Sequence, residues 1–377
     1  MENSVLVELN QKFYSISKLI PSNYSYNVQK MIKFIVHNKI DDKTFEKYIN
    51  DILKKIESIE KYKIPFNSFI NSVIEKNEEN SLKILPDIKM IIKKIEELYQ
   101  ICGELIFFLN CKIKNYEIEK IHENNKTKNP DFCIHWNSNN YYFEVKTIGC
   151  FKHEAQSILR LGTIDSKSET FSYVKNILLK DFNNKKTKES YCNFKKIIDN
   201  EVLGVLSPTT YDKSCCIGNQ LSNINFLIDK VDQNYKEGQY EKENTFLVLN
   251  VMIPYLMAFN DNDDYLPYYL HENRLLSGIF WNSAFCEDGM IVGNYNDNYN
   301  IPTISENRIN KKGILRKHTK IKGLIITCFH KDLNENKLHN FYLFRSNEKS
   351  EIIISGIVDK YYGWNNCLDA NGFKLRK

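Results

Sequence analysis

The segment 129–149, NPDFCIHWNSNNYYFEVKTIG, constrains the fold of this chain more than any other. Over Phe143–Lys146 apolar and polar side chains alternate strictly, the signature of a strand buried on one face. A second short strand, Asp131–Trp136, precedes it, and the Asn-rich stretch 137–140 reads as a turn. The pattern predicts an antiparallel hairpin. A turn centred on Ser138-Asn139 pairs Trp136 with Tyr141, sets Cys133 opposite Glu144, and sets Asp131 opposite Lys146. Opposed residues share a face, as do residues two apart. Asp131, Glu144 and Lys146 are therefore expected together on an exposed face, with Phe132, Ile134, Phe143 and Val145 turned into the core.

Elements on either side extend this reading. Before the hairpin, the spacing predicts a long helix from Pro86 to Leu109, with Pro86 in its first turn and Asp87 complementing the helix dipole. Its last turns, ICGELIFFLN, are apolar nearly all round, so that end is expected to be buried on several sides. A strand near Tyr116–His122 follows. Further on, Gln220–Tyr235 reads as a helix, and Thr245–Met252, Gly323–Phe329 and Phe341–Arg345 read as strands. Helices interleaved with strands predict an α/β fold with a central mixed sheet.

Three regions are expected along the chain. Residues 1–83 form a helical N-terminal part, with Gln29–His37 and Lys43–Ile59 showing helical spacing and a short helix expected at Ser68–Glu75. Residues 84–345 form the α/β domain, carrying a polar insertion at about 260–320. Residues 346–377 form a C-terminal extension. Composition sets looser bounds. Hydrophobic residues make up 42% and charged residues 26%, which excludes global disorder. The net charge of +5 permits a polyanionic partner without requiring one. No apolar run is long enough to span a bilayer, and MENSVLVELN lacks a basic-then-apolar leader, so a cytoplasmic location without membrane contact is expected. The ten cysteines are scattered and include no CxxC pair, so reduced thiols are expected. Cys328, His330 and His339 are too few and too irregular for a zinc motif.

Two carboxylates and a lysine on one patch have a definite chemical use. Hard oxygen ligands hold Mg²⁺, for which Mn²⁺ can substitute. The cation activates water and neutralises charge on a phosphodiester, and an ammonium beside it can orient the nucleophile.

With this chemistry, Pro130-Asp131 and Glu144-Val145-Lys146 resemble the PD and ExK elements of the PD-(D/E)xK, restriction-endonuclease-like, nuclease superfamily. The likeness includes the order of flanking elements and covers roughly residues 84–252. It implies a restriction-endonuclease-like core and a Mg²⁺-dependent endonuclease, DNA being the expected substrate ahead of RNA, with a role in restriction or phage defence. It also implies that Asp131 and Glu144 ligate metal with the Val145 carbonyl available, that Lys146 handles the nucleophile, and that a glutamate on the preceding helix completes the site. Glu104 is that candidate, the alternative being a helix-end glutamate that reaches solvent, and Glu117 is a weaker rival. His153 and Gln156 either support the site or belong to a solvated helix face.

The stretch Arg308–Lys322 holds seven Lys or Arg and no acid. Arg308, Lys311, Lys312, Arg316 and Lys317 are candidates for tracking a phosphate backbone, the alternative being a solvated loop. A homodimer or a defence-system partner fits the same resemblance. The rival functions are a non-catalytic nucleic-acid-binding or assembly module, and an RNA-cleaving enzyme of the same fold.

Overall fold

The computed structural model describes residues 3–17, 22–62, 78–122, 128–148, 220–251, 268–271, 274–277, 283–289, 309–329, 338–344 and 351–357. Several expectations lie outside these residues: the helix at 68–75, His153, Gln156, Arg308 and most of the polar insertion.

The chain divides into two compact units. The first contains α1 (Asn3–Ser17), α2 (Ser22–His37), α3 (Lys43–Glu60) and α4 (Glu78–Ile113) as far as Cys102. Here α1 packs against α2 and α3, burying Leu9, Phe13 and Ile16 on one side and Ile49, Ile52 and Ile56 on the other. Asp42 caps α3, its carboxylate accepting the backbone N–H groups of Thr44 at 2.7 Å and Phe45 at 3.3 Å. The helix α4 begins at Glu78 rather than at the predicted Pro86, so Pro86 lies inside it. A proline inside a helix removes one i→i−4 hydrogen bond and crowds the carbonyl four residues earlier.

The second unit starts at Gly103, inside α4. It is α/β, built on a mixed six-stranded sheet of order β1-β2-β3-β4-β7-β8. The strands are β1 (Ile118–Lys120), β2 (Phe132–Trp136), β3 (Asn139–Ile148), β4 (Thr245–Val251), β7 (Gly323–Phe329) and β8 (Leu338–Phe344), while β5 (Tyr268–His271) and β6 (Arg274–Ser277) form a separate hairpin. β4 and β7 run parallel, whereas β1–β2, β2–β3 and β7–β8 are antiparallel. Every residue of β4 is buried, as expected of an inner strand covered on both faces.

The C-terminal part of α4 lies on the sheet through aromatic contacts. Phe107 meets Phe132 and Phe143 at ring-centroid distances of 5.9 and 5.2 Å, and Phe108 meets Phe132 at 6.2 Å. Beyond β3 come α5 (Gln220–Asn234) and a 3-10 turn, Glu237–Tyr240, then α6 (Ile314–Lys317) and α7 (Glu351–Ile357). α7 belongs to this unit. Its Ile357 carbonyl accepts from Asn110 and Lys114, and its Ile353 carbonyl accepts from the Tyr116 hydroxyl. Among the described residues, no helix is long and apolar enough to cross a membrane. Cys102, Cys111, Cys133 and Cys286 are free and buried.

Candidate functional site

The β2–β3 hairpin closes through two residues, Asn137 and Ser138, with φ of 47° and 63°. Positive φ at both central positions twists the turn to match the strands it joins. Trp136 therefore pairs with Asn139, Cys133 with Tyr142 and Phe132 with Phe143. This corrects the predicted register, Trp136 with Tyr141, by two residues. A slip of two leaves each side chain on its predicted face. Phe132, Ile134, Phe143 and Val145 are accordingly buried in the core. One step outward, Asp131 comes beside Glu144 instead of Lys146, its backbone N–H donating to the Phe143 carbonyl.

Asp131 sits just ahead of β2. Its Oδ2 accepts the Val145 N–H at 2.8 Å, and its Oδ1 accepts the Lys120 ammonium at 3.0 Å. The same ammonium donates to Glu104 Oε2 at 2.7 Å. Glu104 thus faces the hairpin from α4, linked to Asp131 through one lysine. Burial disfavours the charged form of Lys120, but the attraction of Asp131 and Glu104 outweighs it, so its pKa is raised. The Lys120 ammonium also lies 4.7 Å from the centroid of the Phe132 ring. Glu117 lies exposed, ahead of β1, and has no part in this cluster.

Glu144 stands in the middle of β3 and is only 1% exposed, against the exposed position expected. The 3-10 turn accounts for the difference: Gln239 donates its amide to Glu144 Oε1 at 2.6 Å from a buried position. Lys146, two residues along the strand, pairs with the same oxygen. Glu144 Oε2 is buried with no hydrogen-bond partner. Burial first, then the charge of Asp131, push the Glu144 carboxyl up to about 7, with Lys146 opposing and Glu104 adding to the rise. Tyr240 is also buried here, its hydroxyl raised well above the usual range by burial and then by Glu144.

Asp131, Glu144, Lys146 and Glu104 therefore come together, and Lys120, Gln239 and Tyr240 join them. In the sequence, the one hint of Lys120 is a cation between Glu119 and Ile121 on a short strand. Gln239 and Tyr240 carry no local signal, since tertiary folding alone brings them to β3.

Carboxylate oxygens are the donors a hard divalent cation takes. Glu144 Oε2 is buried with no hydrogen-bond partner, a costly state, while Lys120 bridges the carboxylates of Asp131 and Glu104. The Val145 N–H is already used to orient Asp131.

The basic stretch is not a row of open cations. Lys311 pairs with Asp229, and Lys317 and His318 pair with Asp232, all anchored on α5. Arg316 pairs with Glu287 at 2.8 Å, and Lys320 with Glu237 at 2.9 Å. Lys312 is exposed. No known family, curated protein or solved structure matches the chain.

Proposed function

We propose that this chain is a metal-dependent nuclease of the restriction-endonuclease-like type, hydrolysing phosphodiesters in DNA ahead of RNA. The observation that carries the reading is the buried, unpartnered Oε2 of Glu144 beside Asp131 and Glu104, with the Lys146 ammonium on the same strand. Asp131 and Glu144 are the residues that would hold Mg²⁺ or Mn²⁺, Glu104 completes the oxygen set, and the Val145 carbonyl is a further donor. When bound, the cation lowers the pKa of water and neutralises phosphate charge.

The chain's own residues supply the rest. The Val145 N–H fixes the rotamer of Asp131, so the carboxylate is oriented before any ligand arrives. The Gln239 amide holds one Glu144 oxygen and leaves the other free. Lys120 and Lys146 balance the three carboxylates. Lys146, held on β3 beside Glu144, is the residue whose ammonium would orient the attacking water and stabilise the charge that develops on the phosphate.

The ion-paired state of both lysines also favours a second reading, a non-catalytic module in which the same groups are a structural network. One experiment separates the two. Purified protein is incubated with supercoiled plasmid, linear DNA and RNA, with and without Mg²⁺. Cleavage that requires the cation and disappears in Asp131→Ala is expected. A folded protein that leaves all three substrates intact in Mg²⁺ and in Mn²⁺ supports the structural network instead.

A further inference from the structure

We infer that Glu119, Cys133 and His135 form a second cation site, suited to a borderline-soft divalent metal such as Zn²⁺. The β1–β2 register sets Glu119 directly opposite Cys133, and His135 is two residues further along the same face of β2. One carboxylate oxygen, the thiol sulfur and an imidazole nitrogen all lie within 4.8 Å of one another. Bond lengths of about 2.0–2.3 Å to a tetrahedral zinc imply ligand separations of about 3.3–3.8 Å. The Glu119 Oε1 to His135 Nε2 distance of 2.9 Å has only to open by a few tenths of an ångström. The two side chains are 63% and 52% exposed, so that movement is cheap.

The hydrogen bonds around His135 point the same way. Its Nδ1 lies 2.7 Å from Asn140 Oδ1, which accepts a hydrogen bond from Nδ1–H; in the neutral ring that tautomer carries its lone pair on Nε2. Nε2 then faces a carboxylate oxygen at 2.9 Å. Two acceptors held that close need a cation between them, either a proton or a metal. An outer partner on Nδ1 is the usual arrangement for a ligating histidine. The sulfur of Cys133 on the third side selects a softer metal than the all-oxygen cluster formed by Glu104, Asp131 and Glu144. Three protein ligands leave a fourth position for water or an incoming group. A metal here ties the three-residue strand β1 to β2 at the edge of the sheet.

The test uses the full chain stripped of metal by a chelator and titrated with Co²⁺, a spectroscopic substitute for Zn²⁺. A thiolate-to-cobalt charge-transfer band saturating at one metal per chain is expected, displaced by Zn²⁺ and not by Mg²⁺. Cys133→Ser abolishes the band. His135→Ala and Glu119→Gln, at exposed positions that do not threaten folding, weaken Co²⁺ binding by about tenfold or more. Asp131→Ala keeps the band, which separates this site from the carboxylate cluster. Absence of the band in the wild type overturns the proposal, as does a band unchanged in His135→Ala or in Cys133→Ser. Should Cys133→Ser fail to fold, His135→Ala alone decides.

Discussion

Gln239 donates its amide to Glu144 Oε1 at 2.6 Å, reaching across 95 residues of chain to a carboxylate in the middle of a strand. The pair explains how an acidic residue tolerates 1% exposure, and why only one of its oxygens is satisfied.

The pH dependence of stability follows from that burial. The Glu144 carboxyl titrates near 7 in the folded chain, against an ordinary value of 4.5. The native state therefore binds more protons than the unfolded state between those values, and stability falls as pH rises through that window. The contribution is complete below about pH 4.5 and lost above about pH 7, with a size on the order of a few kcal/mol. Urea denaturation at pH 5 and pH 8 should show the wild type losing stability at the higher pH and Glu144→Gln losing markedly less. Mg²⁺ should flatten the wild-type difference if the cation binds the charged carboxylate. Equal pH dependence in the wild type and Glu144→Gln would show that another group is responsible.

Gly103 marks a close approach between α4 and the sheet. A Cβ there would overlap the Thr147 hydroxyl and lie 2.8 Å from Asn250 Nδ2, while the Gly103 carbonyl accepts from Asn250 at 3.0 Å. At an exposed helical position, Gly→Ala stabilises by about 1 kcal/mol. Here the sign should invert, with Gly103→Ala costing about 1–3 kcal/mol through overpacking. A variant as stable as the wild type by chemical denaturation would refute the close-approach argument.

The pairs on α5 make the basic stretch a matter of local structure first. Lys311 and Lys317 hold Asp229 and Asp232, so replacing each by alanine should change stability by no more than about 1 kcal/mol, as for other part-exposed pairs. If the stretch nevertheless tracks phosphates, the combined Lys311, Lys312, Arg316 and Lys317 variant should flatten the salt dependence of nucleic-acid binding. An unchanged slope assigns these cations to intramolecular pairing alone.

What the sequence made legible has a physical pattern. Period-two alternation over Phe143–Lys146 survived a two-residue error in register, because strand faces repeat every two residues. The error came from the turn: Asn137-Ser138 lacks the glycine that announces a tight two-residue turn, yet both residues adopt positive φ. Gly323–Phe329 was read to the residue, since a continuous apolar strand is bounded on both sides by polar residues. The exposure of Glu144 was misjudged because its cover, Gln239, arrives from a distant turn that no local pattern marks. The partners of Lys311 and Lys317, Asp229 and Asp232 on α5, lie more than 80 residues earlier, so no local pattern shows those pairs either.

Lys146 and Asp131 differ in what each can do for a cation. An ammonium cannot ligate metal, whereas a carboxylate can, and Asp131 is held ready by the Val145 N–H. Under the proposed reaction, Lys146→Ala should therefore keep Mg²⁺ binding and lose turnover by at least about a hundredfold, as removal of a charge-stabilising donor does elsewhere. Asp131→Ala should lose both. Removing Lys146 also takes away the positive charge that opposes the raised Glu144 carboxyl, so that group should titrate higher in Lys146→Ala without metal. Calorimetric titration with Mg²⁺ or Mn²⁺, run beside single-turnover cleavage, reads the two effects separately. A Lys146→Ala variant that cleaves at the wild-type rate leaves a site that works through its carboxylates alone, with the lysine present only to balance Glu144.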